Sequence, residues 1–253
     1  LEVTSNWPLM SQLIRQQLVL RYRRTFLGYC WTLINPLMMI FIIGIVFSSI
    51  FKVDFIKFTG FLYAGMIPWN FMNNIVAQSG SAFINNEGLI KKIYIPKIIF
   101  PICIVTTLFI DALISFMVLV LLIIIMSGEI SWTIIFMPVG FLILLLFGIG
   151  ISLIVSVATV FYRDLQYILT ILMQGIFYLT PVIYVKDSMP SRLNLIIDFN
   201  LLSPLIEVFR SPLSPRVIPS VSTTFLAFVI AVTTLVIGIL IFQQQEKKIV
   251  FRL

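Results

Sequence analysis

This sequence predicts an all-α integral membrane fold with six transmembrane helices, on three observations. Sixty per cent of its 253 residues are apolar and only 11% are charged, whereas a soluble domain carries about a quarter charged residues. Its mean hydropathy is +1.11. The apolar residues come in runs of about 20, long enough to cross a hydrocarbon core about 30 Å thick. The basic residues fall in short clusters between those runs, as loops on the positive side of a membrane do. A nucleic-acid reader needs a basic face on a soluble fold, so the net charge of +7 is read as topology. No nucleic-acid partner is expected.

The elements follow in order. Residues 8–26 are too basic to span a bilayer. Met10, Ile14, Leu18 and Tyr22 recur at helical spacing, beside Arg15, Arg21, Arg23 and Arg24. That pattern fits an amphipathic interface helix whose arginines reach lipid headgroups or a lipid diphosphate. A plain juxtamembrane anchor is the competing reading. Spans are expected at about 29–51, 59–84, 99–126, 133–160, 165–184 and 222–242. The second is unusually polar and is interrupted at Pro68. Between the second and third lies 85–97, a basic segment with a short helix expected around Glu87–Ile93. Residues 186–216 hold two apolar stretches, Leu193–Phe199 and Leu201–Phe209, bounded by Pro190, Pro204, Pro212 and Pro215. Each is too short to span and too apolar for a free loop, which points to a re-entrant helix pair before the last span. Asp198 and Asn200 sit at its turn as caps, and Glu207 and Arg210 are spaced to pair. A channel left open when idle would leak ions, so this pair is assigned the external gate.

Orientation comes from the cationic residues. The side holding both termini carries eleven Lys and Arg, and the other side six: Lys52, Lys57, Lys186, Arg192, Arg210 and Arg216. Both termini are therefore expected in the cytoplasm. No cleavable signal peptide is expected, and the chain reads as one membrane domain over 1–253.

Catalytic chemistry is not in evidence. No GxxxxGK[ST] loop cradles ATP, the ten acids are scattered without a close pair, and there is no His. Cys30 and Cys103 are isolated thiols without metal-ligand spacing. No catalytic residue, metal or cofactor is expected in this chain. Polar side chains inside the second span carry more information. Tyr63, Asn70, Asn74, Gln78, Ser81 and Asn85 fall on one helical stripe, and amides facing lipid cost free energy. The stripe is read as a hydrophilic substrate path. Interhelical hydrogen bonding, worth about 0.6 kcal/mol per contact, is the alternative. Asp111, alone in the third span, is read as structurally partnered rather than as part of a proton relay. Gly140, Gly148, Gly150 and Ser152 read as close helix packing.

The run RYRRTFLGYCWTLINPL (21–37) resembles the entry motif of the ABC-2 permeases that export polysaccharides, through Arg21, Tyr22, Leu27, Gly28, Trp31, Asn35 and Pro36. Further resemblances follow in order: NEGLIKKIYIPKIIFP to the family's cytoplasmic coupling segment, FYRDLQYI to the turn after span four, and LTPVIY to the end of span five. SPLIEVFRSPL departs from the family, which has Asn-Pro where this chain has Ser203-Pro204. The resemblance implies a bacterial inner-membrane homodimer with two copies of a separate cytosolic ATPase, which binds ATP and Mg. The substrate it implies is a polyprenyl-diphosphate-linked polysaccharide, O-antigen foremost. It also assigns Glu87, Leu89, Ile90, Lys91 and Lys92 to ATPase coupling, with Leu89 and Ile90 packed against the ATPase and the two lysines at the rim. The alternatives are an ABC-2 permease for teichoic acid, capsule, a drug or a lipid, and a partner-independent channel or secondary carrier.

Overall fold

The computed structural model describes residues 7–21, 27–52, 54–92, 95–127, 131–184, 200–213 and 217–252. These residues form α1 (Trp7–Arg21), α2 (Trp31–Phe51), α3 (Phe55–Ser79), α4 (Glu87–Lys92), α5 (Ile99–Ser127), α6 (Met137–Phe161), α7 (Leu165–Leu179), α8 (Ser203–Arg210) and α9 (Val221–Arg252), and no strand. Among the described residues, three stretches are long and apolar enough to cross a membrane by length and composition: Ile99–Ile125, Trp132–Phe161 and Val221–Arg252. Leu37–Ile50 and Leu165–Leu179 are shorter apolar segments. Although α3 has 25 residues, its amides lower its hydropathy.

The long helices alternate in direction, as the contacts at their ends require. At one end Arg210 of α8 meets Phe61 early in α3 and Pro181 just after α7. There Thr133, leading into α6, donates to the Pro212 carbonyl at 2.6 Å. At the other end Ser79, closing α3, is 2.7 Å from Ser152 of α6. Phe83 lies between Phe100 of α5 and Phe242 of α9, and Lys97 is 4.0 Å from Glu246.

Helices in lipid gain little from hydrophobic burial against one another, so they associate where small residues let them approach closely. The α6–α9 pair does this. A Cβ built on Gly150 would stand 2.5 Å from the Leu235 nitrogen, and one on Gly238 would stand 2.5 Å from the Gly150 carbonyl oxygen. Gly148 faces Ile75 and Phe71 of α3, and Gly140 faces Phe209 of α8. The close packing expected of these glycines is present.

Several boundaries differ from expectation, each for a physical reason. The interruption expected at Pro68 is absent: α3 runs through it. Proline leaves the Ala64 carbonyl without its helical donor, a loss that membrane helices tolerate inside packed bundles. The last span, expected to end at about 242, continues as α9 to Arg252. Ile249 is buried there, and Arg252 stacks on Phe161 of α6. Gly28 has φ +52, a conformation that costs a side-chain-bearing residue, so the Leu27-Gly28 step has a backbone reason.

The apolar stripe of α1 meets protein. Met10, Leu13 and Ile14 are buried, the Cys103 thiol of α5 points at the Met10 carbonyl 3.8 Å away, and Thr107 donates to Gln17 Oε1 at 3.1 Å. Periodicity identified the apolar face, but apolar spacing alone does not separate lipid from a neighbouring helix. Arg15 lies on the exposed side. Arg23, Arg24 and the Arg21 side chain lie outside the described residues.

Candidate functional site

The stripe on α3 is divided by its surroundings. Tyr63 is 1% exposed, and its hydroxyl lies against Ser115 of α5. Ser115 in turn donates to the backbone carbonyl of half-buried Asp111 at 2.9 Å. Here α5 covers the stripe, and Tyr63 belongs to a helix contact. Further along, Asn70, Asn74, Gln78 and Ser81 are half-buried, joined by Asn73, and Asn85 is exposed. The opposite face of α3, with Met72 and Ile75, is sealed in the core.

A second polar face adjoins the first. Helix α7 touches α3 through Phe177 on Trp69, ring centroids 5.1 Å apart, and through Gln166 Nε2 donating to the Ala77 carbonyl at 3.4 Å. Tyr167, Thr170, Gln174 and Tyr178 of α7 are exposed. At about 100° per residue, a circuit of α3 passes Met72 and Val76, then the α7 contact from Trp69 past Asn73 to Ala77, then Asn70 and Asn74. The same circuit of α7 passes Leu169 and Ile176, then Gln166 and Phe177, then Thr170, Gln174, Tyr167 and Tyr178. The helices run antiparallel, so both polar faces lie on one side of the seam. Together they make one continuous, half-open surface of amides and phenols. The α7 contribution escaped the sequence reading, although its spacing of three, four and four residues is a detectable stripe.

At the end of the bundle where α3 closes and α5 begins, α4 is a single short helix. Lys91 Nζ donates to Glu87 Oε1 at 2.6 Å, and that bond, with the lysine charge, holds the Glu87 carboxyl below its ordinary value. Ile90 packs on the core while Leu89 is exposed, so of the two residues expected to pack against the ATPase, Leu89 faces outward and Ile90 turns inward. Lys91 and Lys92 are exposed. Ile93 lies outside the described residues.

At the opposite end, α8 is locked in place. Leu205, Ile206, Val208 and Phe209 are buried, and Phe209 joins Phe116 and Phe141 in edge-to-face contacts. Arg210, 7% exposed, donates to the Pro181 carbonyl at 2.8 Å and to Glu207 at 2.9 Å, with its guanidinium 4.2 Å above Phe61. Asn200 Oδ1 accepts from the Leu202 N–H at 2.9 Å, and its amide donates to Thr180 at 2.7 Å. Asn200 thus ties the turn before α8 to the end of α7. Pro204 occupies the first turn of α8, where a missing N–H costs nothing. Asp198 and the stretch Leu193–Phe199 lie outside the described residues. Among the described residues no His, Cys, Asp or Glu cluster suits a metal.

The sequence of this multi-pass helical chain matches the ABC-2 type transporters over residues 8–213. The chain belongs to the ABC-2 type transporter family. Among its relatives is the O-antigen export system permease protein RfbA of Klebsiella pneumoniae, 29% identical over 208 residues, 81% of this chain and 79% of that protein. RfbA of Myxococcus xanthus is 27% identical, covering 80% of this chain and 78% of the relative. The polysialic acid transport protein KpsM of Escherichia coli is 26% identical over 246 residues, 94% of this ABC-2 chain and 93% of its own.

Proposed function

We propose that this chain is the transmembrane subunit of an ATP-driven exporter that carries a polyprenyl-diphosphate-linked polysaccharide, O-antigen, from the cytoplasmic to the outer face of the plasma membrane. It works as a homodimer with two copies of a separate cytosolic ATPase, both termini being cytoplasmic. The observation that carries this reading is the amide and phenol surface of α3 and α7. A surface facing only lipid would cost free energy for every unpaired amide, and one facing only protein would be closed. Amides hydrogen-bond sugar hydroxyls and phenol rings offer apolar faces to sugar rings, so a polysaccharide sliding between two such surfaces meets both. The names of the Klebsiella and Myxococcus relatives point to O-antigen. A capsular polymer is the second reading, favoured by the KpsM likeness, which extends over nearly the whole chain.

In this reading α2, α3 and α7 complete six spans. Helix α3 falls short in hydropathy because it lines the path. Helix α7, with 15 residues, covers roughly 22 Å of a core about 30 Å thick. The turn after α7 and the short α8 fill the remaining depth as part of a re-entrant unit.

The path is tested by thiol accessibility, in a background with Cys30→Ser and Cys103→Ser. Single cysteines at Asn70, Asn74, Gln78 and Gln174 are expected to react with a membrane-impermeant thiol reagent faster during ATP turnover. Phe71 and Ile75, sealed in the core, serve as unreactive controls. Equal, low reactivity at every position would mean that the stripe is packing.

The ATPase contact is tested at Leu89. An exposed apolar residue flanked by two lysines is the anchor-and-rim arrangement from which protein interfaces draw most of their energy. Leu89→Asp is expected to weaken ATPase association by about 2 kcal/mol or more, roughly thirtyfold in affinity, and to stop export. Melting should be unchanged, because the side chain is exposed. Normal export by that variant refutes the contact.

A further inference from the structure

On the other side of the α3–α7 seam, away from the polar face, lies a cavity of about 610 Å³. Its walls come from α3, α6, α7, α9 and the turn before α8, and Met72, Phe147, Leu172, Met173, Ile230 and Ile237 are representative of them. Asn200 and Thr234 alone among the lining side chains are polar, and each has its polar group engaged: Asn200 with Thr180, Thr234 with the Ile230 carbonyl at 2.7 Å. At roughly 30 Å³ each, about twenty waters would be needed to fill it. Bound water needs two to four polar partners each, and two side chains already engaged cannot serve so many. A void of that size left empty would forfeit the dispersion contacts of every residue facing it. Water and vacuum are both disfavoured.

We propose that this cavity is a lipid site, filled by an acyl chain of a bilayer phospholipid that enters between α7 and α9. Both edges of that entrance are apolar and open, with Leu172 and Ile237 each about half exposed. No charged residue lines the cavity, so the surface selects hydrocarbon and makes no demand on a headgroup. The polar face lies across the seam, which separates this site from the proposed sugar path. The chain acts as a wedge. It fills the gap between α7, which carries the phenols, and the close-packed α6–α9 pair, and so sets the stance of α7 without touching the substrate. The inference rests on the membrane-spanning character of these helices and not on the identity of the cargo.

The test uses the full-length protein in vesicles of phosphatidylethanolamine and phosphatidylglycerol, the latter carrying a diazirine midway along one acyl chain. Irradiation after transfer to detergent and washing is expected to leave adducts on Met173, Ile176, Ile230 or Ile237, and none on Phe225 or Ile135, which are exposed elsewhere. Leu172→Trp and Ile237→Trp place bulk at the entrance. Each methylene denied burial costs about fourfold in retention, so excluding two reduces bound lipid roughly fifteenfold. Val236→Trp, on the same helix outside the cavity lining, retains the normal amount. Adducts missing from the lining residues, as they would be if part of the chain itself filled the space, overturn the proposal. So does equal lipid retention in Leu172→Trp, Ile237→Trp and Val236→Trp. Lipid retention is read without transport, so a failure here is distinct from a failure of the exporter reading.

Discussion

Gly150→Ala and Gly238→Ala are each expected to lower the melting temperature by about 6–12 °C and to remove most export activity. The Cβ added at Gly150 would lie 2.5 Å from the Leu235 nitrogen and the Thr234 carbonyl carbon, and 2.6 Å from the Thr234 oxygen. These are backbone atoms, which cannot rotate aside as the end of a side chain can. The α6 and α9 axes must therefore separate, and the contacts made along both helices loosen together. Overpacking costs roughly 1–3 kcal/mol where side chains can adjust, and here the cost falls at the upper end or beyond. For a chain of this size that gives the stated shift. The double variant is expected to cost less than the sum of the two, because both methyls push apart the same pair of helices. Gly175→Ala on α7 is the control: nothing lies within 4 Å of its added Cβ, and alanine favours the helix by up to about 1 kcal/mol. Buried Cys103 reports unfolding to a thiol-reactive dye once exposed Cys30 is replaced by serine. A Gly150→Ala protein that melts like the parent would refute the close approach of α6 and α9.

How much of this was legible beforehand depends on what each residue answers to. Apolar runs answer to lipid, so α5, α6 and α9 stand where their hydropathy put them. The glycines of α6 answer to a neighbouring backbone, and spacing was enough to assign them to packing. Helix α4 was legible as a short amphipathic piece ahead of Pro96. Surfaces whose character depends on a partner were harder. Tyr63 shares the angular position of Asn70 on α3, yet α5 covers one and leaves the other half open, which periodicity within one helix does not contain. The apolar face of α1 was visible, but its partner, α5, was not. Tyr167, Thr170, Gln174 and Tyr178 went unread because α7 passed for an ordinary span. Their joint meaning with Asn70 and Asn74 depends on the Trp69–Phe177 seam, a contact between residues far apart in sequence.

Arg210 yields the second large effect, and it decides what α8 is. A swinging gate should be held by weak, exchangeable contacts. Instead α8 is fixed by a buried guanidinium that meets the Pro181 carbonyl, Glu207 and the face of Phe61, with Phe209 buried at 0% beside it. The Pro181 bond is charge-assisted and buried, worth about 1.5–3 kcal/mol. The desolvated cation–π contact adds about 1–2 kcal/mol. The Glu207 pair contributes little, because that carboxylate is half exposed. Arg210→Met keeps the volume and leaves the Pro181 carbonyl without its donor, so a loss of about 2–4 kcal/mol is expected, read as a melting shift of roughly 4–16 °C. Arg210→Lys is expected to fall between, since an ammonium reaches one acceptor at a time and lacks the planar fork. Export should fall only as the folded fraction falls, and vesicles holding the idle protein should stay tight to small ions. That outcome makes α8 a fixed brace tying the end of α7 to the start of α3. Ion leak from an Arg210→Met protein that melts normally would mean the reverse, that α8 itself opens and the guanidinium is its latch.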